Sequence, residues 1–372
     1  MTIRVLIVED SPIAMTILTK ILASAPEIEV AGTARTGKEA LELISKVKPD
    51  VICTDLHMPQ MDGLEFTKQV MISYPRPILV ISTSVQEKDN PSNVFQLLEA
   101  GAVDVFPKPR GGSTGDYEAI QRALISKIKV LSGVKVFRRY SRGSQELNYP
   151  RKGREKQIYS SQNVQQSLAL KNMRSPNLNL QEQTQFKMIV VGASTGGPQA
   201  LKTLFLGLRN NLNLPIICIQ HISEGFLQGL VDWLEKNCHL PVKIARSGEL
   251  PEAGTVYFAP EQLHLELDHL GRFIYAATAR VDGHRPSVTV TFKSVAKLYG
   301  KRTIGILLTG MGKDGAAGMQ EIALAGGLTI AQNEATSVVF GMPKAAIALN
   351  SAQYILPIDA IAPHLLQKII SR

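Results

Sequence analysis

Between residues 134 and 186 the chain is rich in Gln, Asn, Ser, Arg and Lys and offers few apolar residues at any fixed period. Such a stretch cannot bury enough apolar surface to offset the entropy of ordering it. It reads as a linker, and the 372 residues divide into a domain at 1–132, a linker at 133–186 and a domain at 187–372. The same stretch holds ten basic and three acidic residues, which is +7 of the chain's net +9. The two folded parts are therefore close to neutral, and nucleic-acid binding is not expected. No apolar run approaches the roughly 18 uncharged residues of a membrane span. The first ten residues lead straight into an apolar strand with no cleavage site. Cys53, Cys218 and Cys238 are far apart and lack the spacing of a zinc site or disulfide framework. The expectation is a cytoplasmic protein with reduced core thiols and no membrane insertion.

Short apolar runs alternate with helical patterns on both sides of the linker. In the first part strands are predicted at Val5–Val8, Ile28–Gly32, Val51–Thr54, Ile78–Ser82 and Val103–Phe106, with a helical stretch after each. Five strands and five helices in alternation predict a doubly wound parallel α/β sheet. From Met188 the alternation resumes, with strands expected at Met188–Val191, Ile216–Gln220, Val256–Ala259, Thr303–Leu308 and Thr329–Ala331. In such sheets ligands meet the chain beyond the carboxyl ends of the strands.

Glu9, Asp10 and Asp55 fall at such ends in the first part, with Ser82 and Lys108 at the same rim. Acids at strand ends are common in loops, and singly they mean little. Together they suit a divalent cation, because clustered carboxylates repel and Mg²⁺ takes oxygen ligands while sharing itself with phosphate. A carboxylate nucleophile beside a metal, a hydroxyl and a lysine can accept a phosphoryl group. The stretches Val-Glu9-Asp10-Ser, Thr-Asp55-Leu-His-Met-Pro59, Ile-Ser82-Thr and Pro-Lys108-Pro resemble the response-regulator receiver family. That resemblance implies a flavodoxin-like fold with Asp55 as phosphoacceptor. It also implies Mg²⁺ on Glu9, Asp10, Asp55 and the backbone carbonyl of His57, and switch roles for Ser82 and Lys108. Val105 stands at the aromatic switch position and Phe106 one place later, which departs from the family pattern.

In the second part, Gly192-Ala-Ser194-Thr-Gly196-Gly197-Pro198 follows a strand and opens a helix. It fits the G-x-S-x-G nucleophile elbow, and free N–H groups at the helix start can face an oxyanion. A P-loop would need Lys and Ser/Thr after the last glycine, and a dinucleotide fingerprint would need glycine where Ser194 stands. A purely structural turn remains the bland alternative. His221 ends one apolar run and Asp314 lies just past another, so all three sit beyond strand ends. The roles would be Ser194 as nucleophile, His221 as general base and acid, and Asp314 as the orienting carboxylate. His284, in a polar loop, is the other candidate base and reads as substrate-facing or structural. No histidine pair has metal-ligand spacing.

These motifs recur with Tyr257-Phe-Ala-Pro260, His284-Arg-Pro-Ser287, Leu308-Thr-Gly-Met311-Gly-Lys-Asp314-Gly315 and Gln332-Asn-Glu334. In that order they resemble the chemotaxis protein-glutamate methylesterases, which join a receiver to a doubly wound α/β catalytic domain. The resemblance implies the same triad and an oxyanion hole from the backbone of Thr195 and Met311. It suggests substrate binding by Arg285 and no cofactor for ester hydrolysis. It implies methyl-accepting chemoreceptors as protein substrate, a chemotaxis histidine kinase as phosphodonor, and deamidation of receptor glutamines beside demethylation. It also implies a receiver that covers the esterase site until phosphorylated. An adaptor with a vestigial pocket, or an esterase for another pathway's protein, are the rival readings.

Overall fold

The computed structural model describes residues 2–82, 92–109, 114–136, 186–208 and 212–370. Most of the predicted linker lies outside these residues. The first domain, the one that resembles a receiver, runs β1 (Ile3–Val8), α1 (Pro12–Ala23), β2 (Ile28–Ala34), α2 (Gly37–Val47), β3 (Val51–Thr54), α3 (Gly63–Ser73), β4 (Ile78–Ser82), α4 (Ser92–Ala100), β5 (Asp104–Pro107) and α5 (Thr114–Leu131). Its five strands are all parallel in the order β2-β1-β3-β4-β5. Strands β3 and β4 are buried along their whole length, as a parallel sheet covered by helices on both faces requires. Polar caps start the helices: Ser11 for α1, Thr36 for α2 and Asp62 for α3, each accepting a backbone N–H from the first turn.

The second domain follows with β6 (Met188–Ala193), α6 (Gly197–Leu208), β7 (Ile216–Gln220), α7 (Leu227–Cys238), β8 (Val242–Ile244), β9 (Val256–Phe258), β10 (His264–Leu267) and β11 (Phe273–Ala276). It closes with α8 (Val288–Tyr299), β12 (Thr303–Leu307), α9 (Ala316–Leu324), β13 (Leu328–Gln332), α10 (Met342–Ala348), β14 (Tyr354–Leu356) and α11 (Ile358–Ile370). Seven parallel strands order as β14-β13-β12-β6-β7-β9-β8, and β10 and β11 form a separate antiparallel hairpin. Strand β6 is central, with β7 on one side and β12 on the other, so the chain reverses direction across the sheet there. That switch point is where a doubly wound sheet opens a crevice.

The edges of the folded parts lie inside the predicted linker. Val134 and Val136 pack on the receiver core, and Phe186 is buried in the second domain's core. A few apolar residues beside a polar stretch are enough to extend a domain, and composition averaged over the stretch hides them. All three cysteines are buried and unpaired. Burial pushes the Cys53 thiol up to about 12 and the Cys238 thiol up to about 11, so both are inert core groups.

One apolar cluster runs from the receiver into the second domain through α4, α6 and α7. Phe95 stacks on Trp233 with ring centroids 5.6 Å apart, and Gln199 Nε2 donates to the carbonyls of Leu98 and Ala102 at 3.3 and 3.1 Å. Lys202 pairs with Glu99 and lies over the Trp233 ring. Among the described residues no helix is long and apolar enough to cross a membrane.

Candidate active site and phosphorylation site

Each triad candidate is placed by the end of a strand. Ser194 follows β6, where its N–H donates to Thr309 O at 3.0 Å and its carbonyl accepts from Gly197 N at 2.7 Å. Gly196 closes the turn with φ +75°, and a Cβ there would meet Val338 Cβ at 2.6 Å, so only glycine fits. Gly310 lets a second loop approach, since its Cβ would sit 2.7 Å from Ser194 Cβ. His221 follows β7, with its N–H on Ala193 O at 2.9 Å, and this sets it beside the nucleophile turn. Gln220 Nε2 donates to the carbonyls of both Ser194 and His221 at 2.8 Å, tying the two turns together. Asp314 comes from the loop after β12.

His221 Nε2 meets Asp314 Oδ2 at 2.9 Å, with the two side chains 7% and 1% exposed. The carboxylate also accepts Ser287 Oγ at 2.8 Å, Val288 N at 2.8 Å and Thr289 N at 3.0 Å. The last two are N–H groups of the first turn of α8, so the carboxylate sits on a helix N-terminus. Burial pushes the Asp314 carboxyl up, but the bonds from His221 and Thr289 outweigh it and hold it well below the usual range. Asp314 is thus ionised and accepts a proton-bearing Nε2. His221 Nδ1 is buried and has no hydrogen-bond partner, so the structure brings His221 and Asp314 into contact but shows no bond from Ser194 Oγ to the ring, and Nδ1 is the nitrogen still open to accept a proton.

Among the described residues, the backbone N–H groups of Thr195 and Met311 have no hydrogen-bond partner. They belong to the two loops that meet at Ser194, as an oxyanion hole requires. The first N–H of α6 is not free, contrary to the expectation for the helix start, because Gly197 N closes the turn onto Ser194 O.

Sequence reasoning weighed His284 as the other candidate base but did not foresee its stacking on His221. His284 lies face to face on His221, with ring centroids 3.7 Å apart and planes within 4°. It also missed Ser287, which caps α8 and holds Asp314. A serine opening a helix after Pro286 is a visible cap signal, whereas nothing in the sequence marks the stacking. Arg285 Nη1 donates to the carbonyls of Ala277 and Thr278 at 3.2 and 3.0 Å. It borders a cavity of about 120 Å³ shared with Gln220, His221, Glu261, Arg280 and His284.

At the receiver rim, Asp55 N bonds Val8 O at 2.9 Å, which aligns the ends of β1 and β3. One carboxylate oxygen from each of Glu9, Asp10 and Asp55 lies within 4.8 Å of the others. Lys108 N bonds Ser82 O at 2.7 Å, and its Nζ reaches Asp55 Oδ2 at 2.7 Å and Glu9 Oε1 at 3.0 Å. Ser82 is buried at the end of β4 beside it. Burial and the charge of Asp55 push the Glu9 carboxyl up, and Lys108 offsets part of this. For Lys108, burial acts to lower the pKa, but its bonds and attraction to Asp55 and Glu9 leave it raised. Three carboxylates against one ammonium leave a residual negative pocket whose donor set fits Mg²⁺.

Residues 189–365 match the CheB methylesterase domain family, and residues 5–114 match the response regulator receiver domain family. A protein-glutamate methylesterase/protein-glutamine glutaminase of Syntrophus aciditrophicus is 39% identical over 97% of this chain and 96% of its own length. The chain belongs to the CheB methylesterase family. A similarly named protein of Hahella chejuensis is 41% identical over 96% of each chain. The CheB methylesterase catalytic domain of Thermotoga maritima is 38% identical over 49% of this chain and 98% of that one, with a TM-score of 0.48. The receiver and catalytic parts expected from sequence are thus those of a CheB methylesterase.

Proposed function

We propose that this chain is a phosphorylation-regulated serine hydrolase. It demethylates glutamate γ-methyl esters on methyl-accepting chemoreceptors and deamidates glutamines in the same setting. The observation that carries this is the His221–Asp314 pair beside the Ser194 turn, with the base's second nitrogen left open. Ser194 Oγ attacks the ester carbonyl carbon while His221 Nδ1 takes its proton. The oxyanion is met by the N–H groups of Thr195 and Met311. Asp314 stabilises the imidazolium, which then gives its proton to departing methanol. Water releases the glutamate carboxylate from the acyl-enzyme by the same base. A glutamine side chain follows the same course and loses ammonia. Arg285 edges the substrate side of the pocket.

Asp55 is the phosphoacceptor, with a chemotaxis histidine kinase as donor. Glu9, Asp10, Asp55 and the His57 carbonyl would hold Mg²⁺, which would neutralise charge between the carboxylates and the incoming phosphoryl oxygens. Lys108 and Ser82 are placed to meet the phosphoryl group once it is on Asp55. The protein acts from the cytoplasmic side on receptors in the membrane.

The test is methanol release from methylated receptor membranes, with and without a small phosphodonor. Release that rises with the donor and disappears in Ser194→Ala is expected. Near-normal turnover by a folded Ser194→Ala protein would rule out the serine mechanism.

A further inference from the structure

The Nε2–Asp314 contact fixes one edge of the His221 ring and leaves rotation about that contact open. The terminal torsion of a histidine is broad, so a single hydrogen bond does not set the ring plane. A flat neighbour does. His284 covers one face of His221 at a centroid distance of 3.7 Å with the planes only 4° apart. Its own backbone is held by a two-way bridge, with Val281 N on His284 O at 3.1 Å and His284 N on Val281 O at 2.9 Å. Three residues on, Ser287 caps α8 and bonds Asp314. One loop therefore fixes both the stacked ring and the carboxylate that His221 addresses.

We propose that His284 is a positioning residue of ester hydrolysis, its ring holding His221 in the plane that directs Nε2 to Asp314 and Nδ1 to Ser194. Its face also stabilises the imidazolium that forms on His221 in the transition state, as an aromatic face does for a stacked cation. That second effect needs an uncharged partner, because two stacked imidazolium rings repel. Burial is the main reason His284 stays uncharged, pushing its pKa down to about 4. The charges of His221, Arg280 and Lys127 push the same way, and that of Asp314 opposes them. Lys127 comes from α5 of the receiver, where it is paired with Asp104 at 2.6 Å.

The role rests on the serine-hydrolase reading, so the experiment separates the two. Methanol release from methylated receptor membranes is measured for wild type, His284→Phe, His284→Ala and Ser194→Ala. The downfield N–H proton between His221 and Asp314 is followed by NMR in the same proteins. Loss of activity in Ser194→Ala tests the hydrolase reading alone. For His284→Ala, kcat should fall about 10- to 100-fold, as expected when a reacting group is misplaced by about an ångström. KM should change less than kcat, because the ring acts on the His221 plane and so on the chemical step. The downfield proton should broaden or vanish. His284→Phe keeps a flat uncharged ring and should retain kcat within about threefold, together with the resonance. If His284→Ala does not fold, His284→Leu fills the space without a flat face and carries the same expectation. A His284→Phe protein as impaired as His284→Ala overturns the proposal, since the ring nitrogens would then do the chemistry. So does a fully active His284→Ala.

Discussion

At the scale of single residues, the site depends on which atoms carry protons. Asp314 takes four donors, from His221, Ser287, Val288 and Thr289. In Asp314→Asn an amide oxygen at the Oδ1 position can still accept from Ser287 Oγ and Thr289 N, but the NH₂ at the Oδ2 position would then face both His221 Nε2 and Val288 N. His221 Nε2 must give up its proton, which moves to Nδ1, and Nδ1 can no longer receive one from Ser194. The expected loss in kcat is on the order of 10³- to 10⁴-fold with KM little changed, measured as methanol release under saturating receptor. The same substitution should show a pH-dependent stability difference. A carboxyl held below its usual range stabilises the fold fully above the unfolded value of about 4 and loses this as pH falls through the folded value. Wild type should therefore lead Asp314→Asn by more at pH 7 than at pH 3 in urea unfolding. In the receiver, the bonds of Lys108 to Asp55 and Glu9 place the ammonium where an acyl phosphate would form. With Mg²⁺ and a small phosphodonor, alkali-labile label should appear on the chain and be absent from Asp55→Asn. Label that survives in that variant would move the acceptor to another carboxylate.

At the scale of elements, α8 matters because its N-terminus binds the triad carboxylate. Ser287 both caps the helix, accepting Val290 N at 3.4 Å, and donates to Asp314. Ser287→Ala removes a cap and a donor to a buried charge, and should cost about 1–3 kcal/mol of stability by urea midpoint. An unchanged midpoint would mean that the α8 backbone N–H groups alone hold the carboxylate. The strands that carry Ser194, His221 and Asp314 were legible because buried parallel strands are long apolar runs, and a site residue directly follows or lies just beyond each. Strand β8 and strand β14 were not, since three residues at a sheet edge give no periodicity to read. The β10–β11 hairpin does show Asp268 and Gly271 at its turn, but its strands are only four residues each, too short to set a period. His284 illustrates the same limit within the site. Its position depends on how the loop between β11 and α8 folds back on itself, and no local pattern encodes that return.

At the scale of the whole molecule, the receiver sits on the helix that begins at the nucleophile. Gln199 is in the first turn of α6 and donates to the carbonyls at the end of α4, while Lys202 one turn later pairs with Glu99. Val338 packs on the receiver core and also against Gly196 of the nucleophile turn. Where the receiver limits access to Ser194, which is 9% exposed in this arrangement, a receptor helix reaches it only after the two parts separate. Phosphorylation of Asp55 would then act by weakening the α4 contact and shifting the population toward an open form. Glu99→Lys sets two ammonium groups against each other at this contact and leaves every triad residue and Asp55 in place. If the lost pair and the new repulsion amount to about 1.4 kcal/mol, the open population rises about tenfold. Basal methanol release without phosphodonor should rise by up to that factor, and stimulation by the donor should shrink correspondingly. A chain beginning near residue 184 should match or exceed this basal rate. Should both proteins fold and hydrolyse no faster than the unphosphorylated full chain, occlusion is not how the receiver acts. Its contact with α6 would instead align Ser194 for catalysis, and loosening that contact would lower activity in both.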